Sequence, residues 1–204
     1  MIPRLHLVTD DEILAREGFS ELAAEAMTEG GGRLALHLRG PRTAGRTLHG
    51  LAETLRTRVC GALLLVNDRV DVALALALSG AHLGQRSLPP PEARRLLGPD
   101  AVLGLSVHDE DEVRSASARI LDYLVVGSVY PTPSHPEREP VGPDTLERMR
   151  RMTSRPVLAI GGVTPGRVEE ALRAGAHGVA VRGGVWNAPD PRAAVRVYLD
   201  ELEP

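Results

Sequence analysis

Two glycine pairs, each placed just after a short apolar segment, are the residues of this chain whose spacing points most clearly to chemistry. Gly161-Gly162 follows the apolar run 157–160, and Gly183-Gly184 follows the apolar run 178–181. Glycine lets backbone N–H groups come close to a ligand, and a helix that begins after such a turn adds positive potential. The pattern predicts a phosphate-binding cup made of Gly161, Gly162, Arg182, Gly183 and Gly184.

Histidine and arginine side chains follow or interrupt other apolar runs, where they could act on a bound phosphate ester. Imidazole suits proton transfer near neutral pH, so His37 and His135 are the candidate catalytic residues. Arg39 is expected to pair with an anionic group of the ligand. The other candidate substrate-binding residues are Asn67, Ser106, Ser128, Thr132 and Ser134. Among the remaining histidines, His82 is expected to be an interior group with its polar atoms satisfied, and His6, His49 and His177 receive no role.

Eight apolar segments that alternate with amphipathic ones position these residues. The predicted strands are Leu5–Val8, Arg33–Leu38, Ala62–Val66, Gly80–Leu83, Ala101–Leu105, Tyr123–Val126, Pro156–Ile160 and Gly178–Val181. The predicted helices span 12–29, 43–58, 69–79, 90–97, 109–119, 143–152, 165–174 and 190–203, and the seventh has Thr164 as N-cap and Pro165 as its first residue. The regular alternation of strands and helices implies a parallel sheet. Glycine turns after strands seven and eight favour a closed α/β (β/α)8 TIM barrel over a doubly wound open sheet. We expect one domain over residues 1–204, with the functional residues at the carboxyl ends of the strands.

The composition excludes several classes of protein. Of the 204 residues 43% are hydrophobic, and a net charge of −3 without a basic cluster argues against a nucleic-acid partner. All 24 basic residues are arginines, so no lysine can serve as a base or phosphate ligand. The single cysteine, Cys60, excludes an internal disulfide and is expected to be a buried, inert thiol. The sequence shows no signal-like or membrane-spanning segment, so we expect a cytoplasmic protein with no membrane partner.

Five motifs, in order and spacing, resemble the thiamine phosphate synthase family, which includes the TenI-type thiazole tautomerases. They are Val66-Asn67-Asp68-Arg69-Val70-Asp71, Ala81-His82-Leu83-Gly84-Gln85, Leu103-Gly104-Leu105-Ser106-Val107-His108, Tyr130-Pro131-Thr132-Pro133-Ser134 and Ala159-Ile160-Gly161-Gly162-Val163-Thr164-Pro165. The resemblance covers nearly the whole chain and implies that a small phosphorylated thiazole is bound in the glycine cup. It also implies a small homo-oligomer.

The resemblance implies one of two activities. The synthase joins a hydroxymethylpyrimidine diphosphate to a thiazole phosphate, releases pyrophosphate, and needs Mg²⁺ and a cationic clamp. The tautomerase moves a proton on a carboxylated thiazole phosphate to make the ring aromatic, and needs an acid–base pair but no metal.

Departures from the synthase pattern favour the tautomerase. Where the resemblance implies Gln, Arg and Lys after the second strand, this chain has His37, Arg39 and Pro41. Where it implies an Asp that helps to hold Mg²⁺, the chain has Ser87, and where it implies a Lys after the sixth strand, the chain has His135. We therefore predict a metal-independent thiazole tautomerase without a cofactor.

Two alternatives stay open. Arg42 can replace the missing lysine of the clamp, which keeps a Mg²⁺-dependent synthase, with Asp68 as its metal ligand, as one alternative. Without a metal, Asp68 is expected to pair with Arg69 or Arg86. The tautomerase pattern implies a histidine at Ser128, so a non-catalytic protein that binds thiazole phosphate is the other alternative.

Overall fold

Eight parallel strands close into a barrel in the computed structural model of the chain, which describes residues 1–59, 61–116, 119–133, 136 and 139–203. The strands are β1 Leu5–Val8, β2 Leu34–Leu38, β3 Leu63–Asn67, β4 Gly80–Leu83, β5 Val102–Val107, β6 Tyr123–Gly127, β7 Val157–Ile160 and β8 Gly178–Val181. Each strand pairs with its neighbours in the sequence, and β1 also pairs with β8. The predicted TIM barrel is confirmed, and the open sheet is excluded.

Helices between the strands pack around the barrel. They are α1 Asp11–Leu14, α2 Phe19–Gly30, α3 Gly45–Arg58, α4 Val70–Ala75, α5 Pro90–Leu97, α6 Glu110–Ser115, α7 Gly142–Arg151, α8 Pro165–Arg173, α9 Gly183–Trp186 and α10 Pro191–Leu202, with a 3-10 turn at Gly31–Arg33. The helix predicted over 12–29 is interrupted between α1 and α2, where Gly18 adopts a left-handed φ of 72°. The short α9, which begins at the second glycine pair, was not predicted. Among the described residues, none of the helices has the length and hydrophobicity needed to cross a membrane.

The buried apolar residues form two layers, because successive side chains of a strand point to opposite faces. One layer lies between the barrel and the helices and includes Leu36 and Leu64. The other lies inside the barrel and consists of Val8, Ala35, Leu65, Tyr123, Val125, Leu158 and Ala180. His6 lies two residues before Val8 and His37 two residues after Ala35, so both histidines point into the barrel.

The Tyr123 ring occupies space inside the barrel that a glycine on the neighbouring strand leaves open. Gly104 of β5 pairs with Tyr123 of β6. A Cβ atom on Gly104 would lie 2.1 Å from Cζ of the Tyr123 ring. The glycine therefore allows a large polar ring to enter the barrel interior at this level.

Trp186 stabilises the junction between the first and last strands. Its indole Nε1 donates a hydrogen bond of 3.0 Å to the carbonyl of Val8, and its ring packs against Phe19 with centroids 5.6 Å apart. The side chain is buried, so α9 is anchored to β1 directly after the second glycine pair.

Candidate functional site

A cavity of about 520 Å³ opens at the carboxyl ends of the strands. Of the predicted site residues, it is lined by His37, Arg39, Asn67, Ser106, Ser128, Thr132, Gly161, Gly162, Arg182, Gly183 and Gly184. Asp68 does not line it. Ser134 and His135, as well as Cys60, lie outside the described residues, and the expectations for them stay predictions.

The turn formed by Gly161 and Gly162 requires glycine at both positions. Their φ angles are 92° and 65°, in the region that favours glycine. A Cβ atom on Gly162 would lie 2.4 Å from the carbonyl oxygen of Pro131, and one on Gly161 would lie 2.6 Å from Cβ of Ser128. The amides of Gly161 and Gly162 donate to no backbone carbonyl among the described residues. Both N–H groups are therefore available to a ligand in the cavity.

The second glycine pair begins α9 on the other side of the same cavity. The amides of Gly183 and Gly184 also lack a backbone acceptor in the described part of the chain. A Cβ atom on Gly184 would lie 2.2 Å from the hydroxyl oxygen of Tyr198, which donates a 3.0 Å hydrogen bond to the carbonyl of Val163. We call Gly161, Gly162, Gly183 and Gly184 the glycine cup. Its amide donors form the kind of backbone arrangement that binds anions such as phosphate.

Arg167 is a cationic residue of the cavity that the sequence analysis missed. Its Nη1 donates to the carbonyl of Gly162 at 2.7 Å, and its guanidinium lies 4.8 Å from the centroid of the Tyr130 ring. Thr164 occupies the N-cap position of α8 as predicted, but its side chain makes no capping hydrogen bond. The available signal for Arg167 was its place in the first turn of this helix, next to the cup.

Arg182, predicted to bind phosphate, lines the cavity but carries an ion pair. Its Nη1 lies 2.6 Å from Oδ2 of Asp10. Asp10 also accepts a 2.9 Å hydrogen bond from the backbone N–H of Ile13, which caps α1. The ion pair holds the Arg182 side chain between β8 and the segment that follows β1, and partly neutralises its charge.

Arg39 supplies positive charge on a different side of the cavity. Its backbone is held by Thr9, whose hydroxyl accepts a 2.8 Å bond from the Arg39 N–H and donates a 2.9 Å bond to the Arg39 carbonyl. Within the described ranges, its guanidinium forms no hydrogen bond or ion pair. This cation is therefore available to an anionic group of the ligand.

Below the cavity, three histidines and a tyrosine form a connected cluster inside the barrel, which we call the histidine column. Nδ1 of His6 lies 2.8 Å from Nε2 of His37, and Nδ1 of His82 lies 3.0 Å from the hydroxyl of Tyr123. The Tyr123 hydroxyl is also 3.4 Å from His37 Nε2, and His82 Nε2 is 2.8 Å from Oγ of Ser106. All four rings of the column are buried, and His37 and His82 line the cavity.

Burial keeps the histidine column neutral. It lowers the pKa of His6 and of His37 well below the usual value, and a charge on a neighbouring histidine would lower each further. Burial, together with His6 and Arg39, lowers the pKa of His82 to about 3. Burial and the nearby Asp122 raise the pKa of Tyr123, so its hydroxyl keeps its proton. The column therefore offers neutral donors and acceptors.

The structure corrects the assignment of His6 and extends that of His82. His6 was given no role, yet it contacts the candidate catalytic residue His37 directly. His82 is an interior residue with both nitrogens bonded, as expected, and it also borders the cavity. Tyr123 was not singled out at all. The available signal was the period of two within β1, which places His6 on the same face as Val8.

Three polar atoms at His37 and its neighbours have no partner. Nδ1 of His37, Oδ1 of Asn67 and Nε2 of His6 are buried and form no hydrogen bond among the described residues. Asn67 nevertheless lies close enough to favour the protonated form of His37 and so to oppose the effect of burial on its pKa. Buried polar atoms are normally satisfied, so these atoms are exceptions beside the cavity that His37 and Asn67 line.

The residues around Asp68 do not fit a Mg²⁺ site. Its Oδ1 accepts a 2.9 Å hydrogen bond from the Gly84 amide and a second bond from the Ser87 hydroxyl. Ser87 stands where the family resemblance implies a second carboxylate, and no cluster of three or more potential metal ligands occurs in the described part of the chain. Mg²⁺ requires hard oxygen ligands in near-octahedral geometry, and here the one carboxylate is committed to joining two loops.

The predicted pairing of Asp68 with Arg69 is wrong. Arg69 binds Asp71 instead, with 2.8 Å between Nε and Oδ1. The ion pairs of the described residues do not join Asp68 to Arg86 either. Because Asp68 has a left-handed φ of 64°, its side chain turns towards the loop after β4, where the Gly84 amide meets it.

A family model described as "Thiamine monophosphate synthase" matches residues 5–185 of the chain. A thiamine-phosphate synthase of Roseiflexus castenholzii is 38% identical over 199 residues, which cover 96% of this chain and 86% of that protein. A bifunctional thiamine biosynthesis protein of Symbiobacterium thermophilum is 52% identical over 143 residues, which cover 70% of this chain but only 30% of that protein.

A solved structure extends the same likeness. The thiamine phosphate pyrophosphorylase from Pyrococcus furiosus superposes with a TM-score of 0.83 at 32% identity, and the match covers 98% of this chain and 95% of that one. The names of these relatives agree with the synthase alternative, and none of them is a tautomerase by name.

Proposed function

Because this chain belongs to the family described as thiamine monophosphate synthase, we propose that it acts on a thiazole phosphate in thiamine biosynthesis, and that its reaction is a metal-independent proton shift that makes a carboxylated thiazole ring aromatic. The observation that carries the proposal is that neutral His37, with an unpartnered Nδ1, lines the same cavity as the glycine cup. The carboxylate available for Mg²⁺, in contrast, is committed to Gly84 and Ser87.

Each part of the cavity has one task in this proposal. The amides of the glycine cup bind the phosphate, and Arg167 adds positive charge next to it. Arg39 binds the carboxylate of the ligand from another side of the cavity. A ligand held at both ends has a fixed orientation, which brings the ring to the acid–base residue.

His37 is the proposed proton carrier. Its Nδ1 takes a proton from one ring position, and the resulting imidazolium returns a proton at another, so the product is an isomer and His37 is regenerated. A base of this kind works best when its pKa lies near the working pH. Binding of an anionic ligand raises the pKa of His37 from the low value that burial gives it.

The names of the relatives favour a second candidate, the thiamine phosphate synthase reaction. In that reaction Arg39 would face the diphosphate of the pyrimidine substrate, and the glycine cup would hold the thiazole phosphate. Arg42, proposed as the replacement for the missing lysine, is exposed and lies 3.3 Å from Asp11. No step through Mg²⁺ is assigned to this chain.

One experiment separates the candidates. The full chain is incubated with the carboxylated thiazole phosphate tautomer in excess EDTA, and the aromatic product is followed by NMR. Conversion that is lost in His37→Gln but kept in His49→Gln, a histidine of α3 that does not line the cavity, supports the proposal. A rate lost only in His135→Gln would make His135 the proton carrier.

The second arm supplies Mg²⁺, the pyrimidine diphosphate and thiazole phosphate. Pyrophosphate release here, with no conversion in EDTA, would overturn the tautomerase and establish the synthase. Binding of thiazole phosphate without turnover in either arm would make the chain a binding protein. Size measurement in solution tests the expected homo-oligomer separately.

A further inference from the structure

Asn187 follows α9 directly and lines the same cavity as the glycine cup, and the proposed reaction does not yet use it. It lies one helical turn beyond Gly183, and its backbone N–H donates to the Gly183 carbonyl at 3.1 Å. Side chains of a helix lean towards its N-terminus, so the Asn187 side chain lies over Gly183. A Cβ atom on Gly183 would be 3.2 Å from Nδ2 of Asn187, so the glycine leaves room for this amide group.

Arg16 determines which way the Asn187 amide faces. Nη2 of Arg16 lies 2.7 Å from Oδ1 of Asn187, and Nη1 of Arg16 donates to the carbonyl of Trp186. A guanidinium carries only donors, so the amide atom that faces it must be the oxygen. Arg16 does not line the cavity, whereas Asn187 does. The NH2 group, which points away from Arg16, is therefore the polar group that Asn187 offers to the cavity.

The segment after β1 holds this arrangement in place. Arg16 lies in the turn that follows α1, and α1 is capped by Asp10. Asp10 also pairs with Arg182, directly before the second glycine pair. Arg182 and Asn187 stand on either side of α9, and both are bonded to this one segment. Nδ2 of Asn187 therefore has a defined position relative to the amides of the glycine cup.

The Nδ2 group is also free to bind a ligand. Asn187 is exposed, and its Nδ2 donates to no acceptor in the described part of the chain, as is true of the Gly183 and Gly184 amides. The hydrogen bond from Arg16 draws electron density towards Oδ1, which strengthens the N–H groups as donors. A donor of this kind beside the cup suits an anionic oxygen.

We infer that Asn187 is a ligand-binding residue whose amide donates to a phosphate oxygen in the glycine cup, and that Arg16 is the positioning residue that orients it. The inference deepens the proposed function and rests on it in one respect, because it takes the phosphate of the ligand to lie in the cup. It adds a side-chain donor to a site otherwise made of backbone amides.

The composition of the chain allows a direct test. The chain has only two asparagines and one glutamine, Asn67, Asn187 and Gln85. The ¹H–¹⁵N spectrum of the full chain therefore contains three side-chain NH2 groups of this type, and Asn187→Ala identifies those of Asn187. Titration with thiazole phosphate, and separately with inorganic phosphate, should shift the Asn187 signals. Gln85 does not line the cavity and donates to Glu112, so its signals should stay in place.

Affinity and stability together separate a ligand contact from a structural role. Asn187→Ala should weaken thiazole phosphate binding about tenfold, the lower end of what a hydrogen bond to a charged group contributes. Asn187→Asp should weaken it further, because a carboxylate repels the phosphate. A carboxylate still accepts from Arg16, so Asn187→Asp should not lower the free energy of unfolding. Calorimetric titration and urea unfolding measure the two quantities.

A double-mutant cycle tests the role of Arg16. Arg16→Met removes its donors and should weaken thiazole phosphate binding less than Asn187→Ala does, and Arg16→Lys, which keeps a donor, should restore part of the loss. In the Asn187→Ala background, Arg16→Met should cause no further loss, because its effect passes through the missing amide. Arg33→Met is the matched control, since Arg33 precedes β2 at the opposite end of the barrel and bonds Glu203.

Asn187 signals that do not move at saturation, or a dissociation constant that Asn187→Ala leaves unchanged, would overturn the inference. A wild type that binds neither thiazole phosphate nor inorganic phosphate would also overturn it. An equal loss from Arg16→Met in both backgrounds would overturn the positioning role. Because these measurements need binding and not turnover, shifted Asn187 signals without activity in either assay would overturn the proposed reaction alone.

Discussion

The glycine cup and the histidine column lie on the same cavity but are built in different ways. The cup consists of backbone amides, and its shape depends on positive φ angles and on close contacts such as that between Gly162 and the Pro131 carbonyl. The column consists of side chains from β1, β2, β4 and β6, which are far apart in the sequence and meet inside the barrel. In the proposed function, binding therefore depends on local backbone geometry, and the chemistry depends on which side chains the strand register brings together.

If the glycine cup and the histidine column have separate roles, the largest effect on turnover should come from a change in the histidine column. His37→Gln should lower kcat by about a hundredfold to ten-thousandfold, the contribution of a positioned acid or base. The dissociation constant of thiazole phosphate should stay nearly the same, because the cup is unchanged. Turnover kinetics and calorimetric titration measure the two quantities. A large loss of affinity in this variant would mean that the two regions are not separate.

The next largest effect is on binding, in the cup. Gly162→Ala introduces a side chain at a φ of 65°, where a Cβ atom would meet the Pro131 carbonyl at 2.4 Å. We expect the affinity for thiazole phosphate to fall at least about tenfold, and the free energy of unfolding to fall by about 1–3 kcal/mol. Gly166→Ala is the matched control, because its Cβ atom meets nothing within 4 Å and lies in α8. The free energy of unfolding of this control variant should rise by roughly 0.5–1 kcal/mol.

The pH dependence of stability should come from the column. Above pH 6.5 the histidines are neutral in the folded and the unfolded chain and contribute no pH dependence. As the pH falls below the ordinary value of 6.5 towards the value of about 3 for folded His82, only the unfolded chain gains protons. The free energy of unfolding should then fall by up to about 1.4 kcal/mol per pH unit for each such histidine.

Urea unfolding at several pH values between 7.5 and 5 measures this slope. His82→Gln should make it shallower. Gly162→Ala should lower the free energy of unfolding by a similar amount at every pH. A slope that does not change in His82→Gln would show that the acid sensitivity lies outside the column.

The smallest effect is expected from the hydroxyl of Tyr123. Tyr123→Phe keeps the ring that fills the space beside Gly104 but removes the bonding partner of His82 Nδ1. The free energy of unfolding should fall by about 1–2 kcal/mol, the cost of a buried polar atom left without a partner. Thiazole phosphate affinity, measured by calorimetry, should not change. A change in affinity would show that the column also shapes the cup.

The difference between the two regions explains what the sequence could predict. The cup and the barrel depend on patterns within short segments, such as an apolar run followed by Gly161 and Gly162, and these are visible in one chain. His6 and Tyr123 belong to strands that are separated by more than a hundred residues, and only the closed register brings them near His37. The interior direction of His6 follows from the period of two, but its partner does not.

The loop residues were predictable only in part for a related reason. Asp68 was expected to pair with a neighbouring arginine, because opposite charges close in sequence attract. Its left-handed backbone instead directs the carboxylate to a neutral amide and a hydroxyl on the next loop. A conformation of that kind in a residue other than glycine is not encoded in any pattern of apolar and polar residues.

The indole that joins α9 to β1 has a practical consequence. Trp186 is the chain's single tryptophan, it is buried, and it lies two residues after Gly184. Ultraviolet emission of the unmodified protein therefore comes mainly from one ring at the closure of the barrel, beside the cup. Ligand titrations and unfolding can both be followed by this intrinsic fluorescence without a label, and a shift to longer wavelength reports the separation of the first and last strands.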